Sequence, residues 1–121
     1  MVKMIEMNDK GIIYFLKERD TPYVKIGFTT NLDKRWKDLE ASNPRTLDLI
    51  HQIDGDVSNE HELHAVFKDY RVKGEWFVIG DELDAFIQKE MSLDAYREYL
   101  RRTFTKDFLK RTGKYYRFNL Y

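Results

Sequence analysis

The chain has no cysteine, which excludes a disulfide framework and a thiolate zinc site and removes any need for an oxidising compartment. Long apolar runs are missing too. The opening MVKMIEMNDK carries acidic residues and does not resemble a signal peptide, and no stretch approaches the length of a membrane span. The expectation is a cytoplasmic, intracellular protein with no membrane partner. Excess charge is also absent, because 21 basic residues balance 21 acidic ones. What remains is 121 residues, 42% apolar, 15% aromatic and 35% charged, the profile of one folded domain with a modest core, a solvated surface and room for a single active site or binding face.

The neutral total hides an asymmetry. From Tyr96 to Tyr121 eight Lys or Arg face two acids, a balance of +6, so residues 1–95 carry −6. The cations of this C-terminal quarter include Arg101, Arg102, Lys106, Lys110, Arg111, Lys114 and Arg117. They form either a solvated helix face or a contact surface for a phosphate backbone, the charge that dominates nucleic-acid affinity.

The most informative stretch is Gly11 to Arg35, GIIYFLKERDTPYVKIGFTTNLDKR. Two β-branched and aromatic runs, about 11–17 and 23–29, flank the polar turn Glu18-Arg19-Asp20-Thr21-Pro22 and predict a tight antiparallel hairpin. A helix follows at once. Thr30 or Asn31 caps it, and Leu32, Trp36 and Leu39 recur at helical spacing toward the core, which leaves Arg35 at the edge of the buried stripe. Tyr14, Lys25 and Arg35 are the residues of this stretch able to act on a phosphate, and the hairpin brings Tyr14 and Lys25 side by side.

Asn43-Pro44 ends the helix, and residues 47–53 read as a third strand before the turn Asp54-Gly55-Asp56. Ser58 is a plausible cap for a second helix over about 59–70, with Leu63, Val66, Phe67 and Tyr70 as its apolar stripe and Glu60 and His64, four apart, sharing a face beside it. After Gly74, residues 75–79 predict an edge or short strand. A third helix is expected over about 81–90 and a last one, capped by Ser92, over about 93–111; the tail from Lys114 interleaves aromatics with bases. His61 and His64 are three apart, whereas the metalloprotease motif needs four, so a zinc reading is set aside.

A Tyr on one strand, a Lys on the next, an Arg in the first helix and a Glu in the second are what a one-metal phosphodiesterase needs. With IIYFL at 12–16, VKIGFTTNLDKR at 24–35, EHELHAVF at 60–67 and GEWF at 74–77, the chain resembles the GIY-YIG nuclease superfamily, in particular its compact phage and bacterial branch. The resemblance implies an α+β fold, a small three-stranded antiparallel sheet flanked by helices. Residues 1–80 would be the GIY-YIG-like catalytic core and 81–121 a helical, basic extension of the same domain.

The resemblance also implies roles. Tyr14 would activate or position the attacking water, with help from a cation because a free phenol titrates near 10. Lys25 stands where the family name has Tyr and would lower the Tyr14 pKa or bind the scissile phosphate. Arg35 would stabilise charge on the phosphoryl oxygens. Glu60 would hold Mg²⁺ or Mn²⁺, with waters completing the shell, and His64 would orient Glu60 or share in proton transfer. Where some relatives carry a His four residues after the helix Arg, this chain has Leu39.

The function expected is a metal-dependent endonuclease acting on DNA, with the basic C-terminal residues gripping the backbone, with specificity low, based on DNA structure or supplied by a targeting partner, and with a homodimer left open as a further assembly. Two rival readings stay open: a nucleic-acid-binding module that keeps the fold without efficient catalysis, and a phage protein-interaction domain using Tyr115, Tyr116, Phe118 and Tyr121. In isolation Tyr14 and Trp76 would be read as core and Glu75 as the partner of a helix or an arginine.

Overall fold

The computed structural model of the chain describes residues 9–112. Lys114, Arg117 and the tail aromatics therefore lie outside the described residues. The expected hairpin is present as β1 (Gly11–Glu18) and β2 (Tyr23–Thr29), closed by a turn in which Asp20 takes a left-handed conformation (φ 63°) and the Thr21 hydroxyl donates to the Glu18 carbonyl at 2.9 Å. Helix α1 (Leu32–Ala41) starts at Asn31, whose side chain accepts from the Lys34 amide, and Asp33 in its first turn suits the helix dipole. Strand β3 (Leu47–Gly55) pairs antiparallel with the other side of β1, and a bulge between Phe15 and Leu16 absorbs one extra residue.

Helix α2 covers Val57–Val66 and stops earlier than its apolar stripe suggested, because residues 68–70 tighten into a 3₁₀ turn. Its cap is Asp56, not Ser58. Asp56 and Asn59 satisfy one another's backbone amides reciprocally, a capping box that Ser58, lying inside the first turn, cannot build. Strands β4 (Arg71–Lys73) and β5 (Trp76–Val78) then form a second hairpin, followed by α3 (Asp81–Gln88), α4 (Leu93–Thr103) and α5 (Lys106–Arg111). The single last helix expected over 93–111 is thus two, broken at Phe104, which is extended, and restarted by the Thr105 cap.

The sheet has five strands, not three, in the order β3-β1-β2-β5-β4, every pairing antiparallel. The two added strands are only three residues long. Gly74 (φ 57°) lets β4 fold back on β5, and β5 docks on β2 through Tyr23↔Val78, Val24↔Phe77 and Lys25↔Trp76.

The period-2 alternation of the strands sorts two cores. On one face Ile13, Phe15, Val24, Ile26, Ile53 and Phe77 pack beneath α2, α3 and α4, with Phe67, Phe86 and Tyr96 as the large rings of the cluster. The other face holds Tyr14, Leu16 and Leu47 beneath Leu32, Trp36 and Leu39 of α1, with Trp76 at its border. Residues 83–109 supply seven members of the first cluster, so the C-terminal helices share the core of the strands. Arg97 of α4 bonds Glu62 of α2 and also Asp94, a part-buried ion pair that ties the two helices.

Candidate active site

Strand β5 stops one hydrogen bond past Trp76. The Ile26 amide donates to the Glu75 carbonyl at 3.0 Å, the chain then turns away at Gly74, and among the described residues no strand covers the outer edge of Gly27–Thr29. His64 finishes the edge: its Nε2–H donates to the Ile26 carbonyl at 2.8 Å, and its ring packs edge-on against Phe77 with centroids 5.0 Å apart. That bond fixes the tautomer, because a carbonyl can only accept. Through this gap a residue of α2, which lies on one face of the sheet, meets groups from the other.

Tyr14 and Lys25 do share a face, on a diagonal: Tyr14 pairs with Gly27 and Leu16 with Lys25. The Tyr14 ring lies across Gly27, where any Cβ would overlap its hydroxyl. Arg35 Nε donates to the Tyr14 oxygen over 3.4 Å, reaching down from the edge of the α1 stripe as its spacing implied. The cation that touches the phenol is therefore Arg35. Lys25 is turned to Glu75, 3.9 Å away, with its ammonium 5.3 Å from the centre of the Trp76 ring.

Glu60 is 8% exposed, the one charged residue buried among those described. Its carboxyl lies 3.5 Å from His64 Nε2, and the carboxyl of Glu75 is close enough to act on its ionisation. Burial first, then the Glu75 carboxylate, push the Glu60 pKa up to about 7. Tyr14 is also raised, by burial first and by the charges of Glu75 and Glu60, against the lowering pull of Arg35. Tyr14, Arg35, Glu60, Lys25 and His64 thus converge on one opening, with Glu75 at its centre.

Glu75 is the residue that sequence reasoning missed. Its neighbours Trp76 and Phe77 pack inward as expected, but Glu75 stands in the β4–β5 turn, where it links Lys25 to Glu60. The available signal was its position directly after Gly74 between two short runs, a turn position rather than a strand position.

The T5orf172 domain model matches residues 11–102, three quarters of the chain. The chain belongs to the T5orf172 domain family. Neither a curated relative nor a solved structure matches it. Membership of the T5orf172 family is compatible with a nuclease-like or DNA-binding role, and the match contains the six residues of the opening.

The fit of a divalent cation to this T5orf172 domain can be judged from its donors. Two carboxylates from two elements press together at the gap, a repulsion that a dication relieves, and Mg²⁺ is commonly held by one or two carboxylates with retained waters. Among the described residues no group of three or more His, Cys, Asp or Glu encloses a metal, so the shell would be largely water. The residues fit a hydrated, hard cation.

The basic C-terminal residues of the T5orf172 domain are less open than their sequence suggested. Arg101 and Arg102 both pair with Glu98, at 3.3 and 2.7 Å, and Arg111 pairs with Asp107 at 3.1 Å. Such helix-surface pairs are worth only about 0.3–0.5 kcal/mol and yield readily to a phosphate. Lys106 and Lys110 also have partners.

Proposed function

We propose that this domain is a metal-dependent endonuclease of the GIY-YIG type that hydrolyses phosphodiester bonds in DNA. The observation that carries the reading is the convergence, at one gap in the sheet, of a phenol held by a guanidinium and a carboxylate pair that lies next to an ammonium. No packing need explains a buried Glu60 set against a second acid; such a pair lowers stability, and sites of this kind are where function is bought at the expense of the fold.

In this reading the scissile phosphate enters the gap between α1 and the β4–β5 turn. Arg35, exposed but for its contact with Tyr14, offers its remaining N–H donors to the phosphoryl oxygens, where charge builds as water attacks and the P–O bond to the leaving oxygen breaks. Tyr14 orients that water and relays its proton to solvent, while the departing oxygen takes up a proton from solvent. Glu60 and Glu75 would hold Mg²⁺ or Mn²⁺, which supplies Lewis-acid polarisation of the phosphate and a more acidic bound water. A cation held there would offset the two carboxylate charges that oppose ionisation of Tyr14, leaving burial against it and Arg35 for it. Lys25, now paired with Glu75, would bind phosphate as a point charge. His64 holds α2 to the edge of β2 and so positions Glu60; its Nε2 is committed to the Ile26 carbonyl.

The test is nicking of supercoiled plasmid in Mg²⁺ or Mn²⁺ and in chelator, with Glu60→Gln, Glu75→Gln and Tyr14→Phe beside the wild type. Metal-dependent nicking that Glu60→Gln and Tyr14→Phe abolish is the expected result. DNA binding that falls with salt, without cleavage in any metal, would replace the catalytic reading with that of a binding module.

A further inference from the structure

Among the described residues the large hydrophobic side chains that stand exposed are Tyr23, 40% exposed, and Val72, 58% exposed. They are far apart in sequence and adjacent in space. Together with Trp76, Lys73 and Glu18 they line one shallow groove of about 170 Å³. The strand registers place this groove on the catalytic face. Lys25 pairs with Trp76 and Lys73 also pairs with Trp76, while Tyr23 lies two residues before Lys25 and so points to the same side. The groove is therefore continuous with the candidate site, since the Lys25 ammonium lies over the Trp76 ring and 3.9 Å from Glu75.

We infer that this groove is a stacking shelf for an unpaired nucleobase next to the scissile phosphate, so that the substrate class is single-stranded DNA or DNA with unpaired nucleotides. The inference deepens the nuclease reading and rests on it for the nature of the ligand. An aromatic ring accepts the face of any base, and flanking lysines hold the backbone that carries it, the combination used to bind single strands without sequence preference. Inside a duplex that base face is covered by its neighbours. Lys25 on one side and Lys73 on the other provide the charge, and the acid at the rim, Glu18, is already engaged by Arg45 at 3.8 Å and by Asn43 at 3.2 Å.

The size of the patch favours a base over a protein. A stable protein interface buries about 800 Å² per partner around an apolar centre, and two exposed side chains beside a three-residue edge strand cannot supply one. A single base needs one ring and one wall.

The decisive experiment is fluorescence anisotropy in EDTA, where nothing is cut, with a labelled single-stranded dT oligonucleotide and a duplex of the same length. The probes are wild type, Tyr23→Ala and Tyr23→Phe. Tyr23→Ala is expected to weaken single-strand binding about ten-fold, Tyr23→Phe to restore it, and duplex binding to stay unchanged. Placing Ala at the exposed start of a strand leaves the buried cores untouched, and restoration by Phe guards against misfolding. Single-strand affinity within two-fold of wild type for Tyr23→Ala, or equal losses on single strand and duplex, overturns the shelf. Failure here is distinguishable from failure of the nuclease reading: plasmid nicking that survives Glu60→Gln defeats the latter, whereas the shelf is read from binding in EDTA, where nothing is cut.

Discussion

Replacing Glu60 by glutamine should stabilise the metal-free protein, and by an amount that depends on pH. The native Glu60 carboxyl keeps its proton up to about 7, whereas in the unfolded chain it releases it near 4.5. A folded state that must hold a proton the unfolded chain has lost becomes less favourable as pH rises. The site's contribution is thus fully present below about 4.5, is lost between about 4.5 and 7, and stays lost above. Moving a carboxyl from 4.5 to about 7 corresponds to about 3 kcal/mol. Glutamine carries no titrating proton, and its amide can donate to Glu75. In EDTA at pH 8 the variant should therefore be more stable by about 3 kcal/mol, about 10 °C in Tm for a domain of this size, and at pH 5 the difference should shrink below about 1 kcal/mol. Thermal unfolding followed by circular dichroism at pH 5, 6.5 and 8 reads this directly, and all other titrations cancel in the comparison of variant with wild type. A difference that does not change with pH, or a variant less stable at pH 8, would show that Glu60 is not held protonated and would refute the reasoning. Adding millimolar Mg²⁺ should reverse the order, because only the wild type gains by binding it.

Two further perturbations separate the site from its scaffold. Gly27→Ala drives a methyl into the Tyr14 hydroxyl and should lower stability by about 1–3 kcal/mol while abolishing nicking; Gly74→Ala meets no neighbouring atom, so it should lower stability by about 1 kcal/mol through its left-handed backbone alone and leave nicking intact. Urea unfolding and the plasmid assay on both variants check the contrast, and equal activity losses would contradict it. Arg97→Ala leaves Glu62 half-buried without its guanidinium and should lower stability by about 2 kcal/mol, a loss that urea unfolding measures and that a value under about 0.5 kcal/mol would disprove.

The parts of the molecule that the sequence revealed are those where local pattern and long-range packing agree. The β1–β2 hairpin and α1 were legible because β-branched runs, a polar turn, the Asn31 cap and the Leu32-Trp36-Leu39 spacing all point the same way. The edge of the sheet was not. Arg71-Val72-Lys73 has no alternation and no buried residue, so nothing in its composition marks a strand; Gly74 and the docking of β5 on β2 make it one. The break at Phe104 was hidden because Tyr96, Leu100, Phe104 and Leu109 keep a helical rhythm across it, while the Thr105 cap acts locally. Tyr14, Arg35 and Glu60 were singled out from the order and spacing of their motifs, and the structure brings them to one opening. Glu75 was not singled out, because its importance comes from α2 and β5 meeting across the end of a strand, a contact that no spacing along the chain encodes.

The side chain of His64 occupies the place that one more residue of β5 would fill. The Ile26 carbonyl would accept from a backbone amide as readily as from an imidazole, so the opening exists only because the β4–β5 turn comes where it does. Insertion of a residue pair before Trp76 would let the hairpin zip onward along Gly27–Thr29, evict the imidazole and seal the passage with ordinary ladder bonds, every side chain of the site still present in the chain. On the nuclease reading, the opening depends on the length of a hairpin as much as on the identity of its acids, and a change of length at Gly74 would close it with no acid replaced.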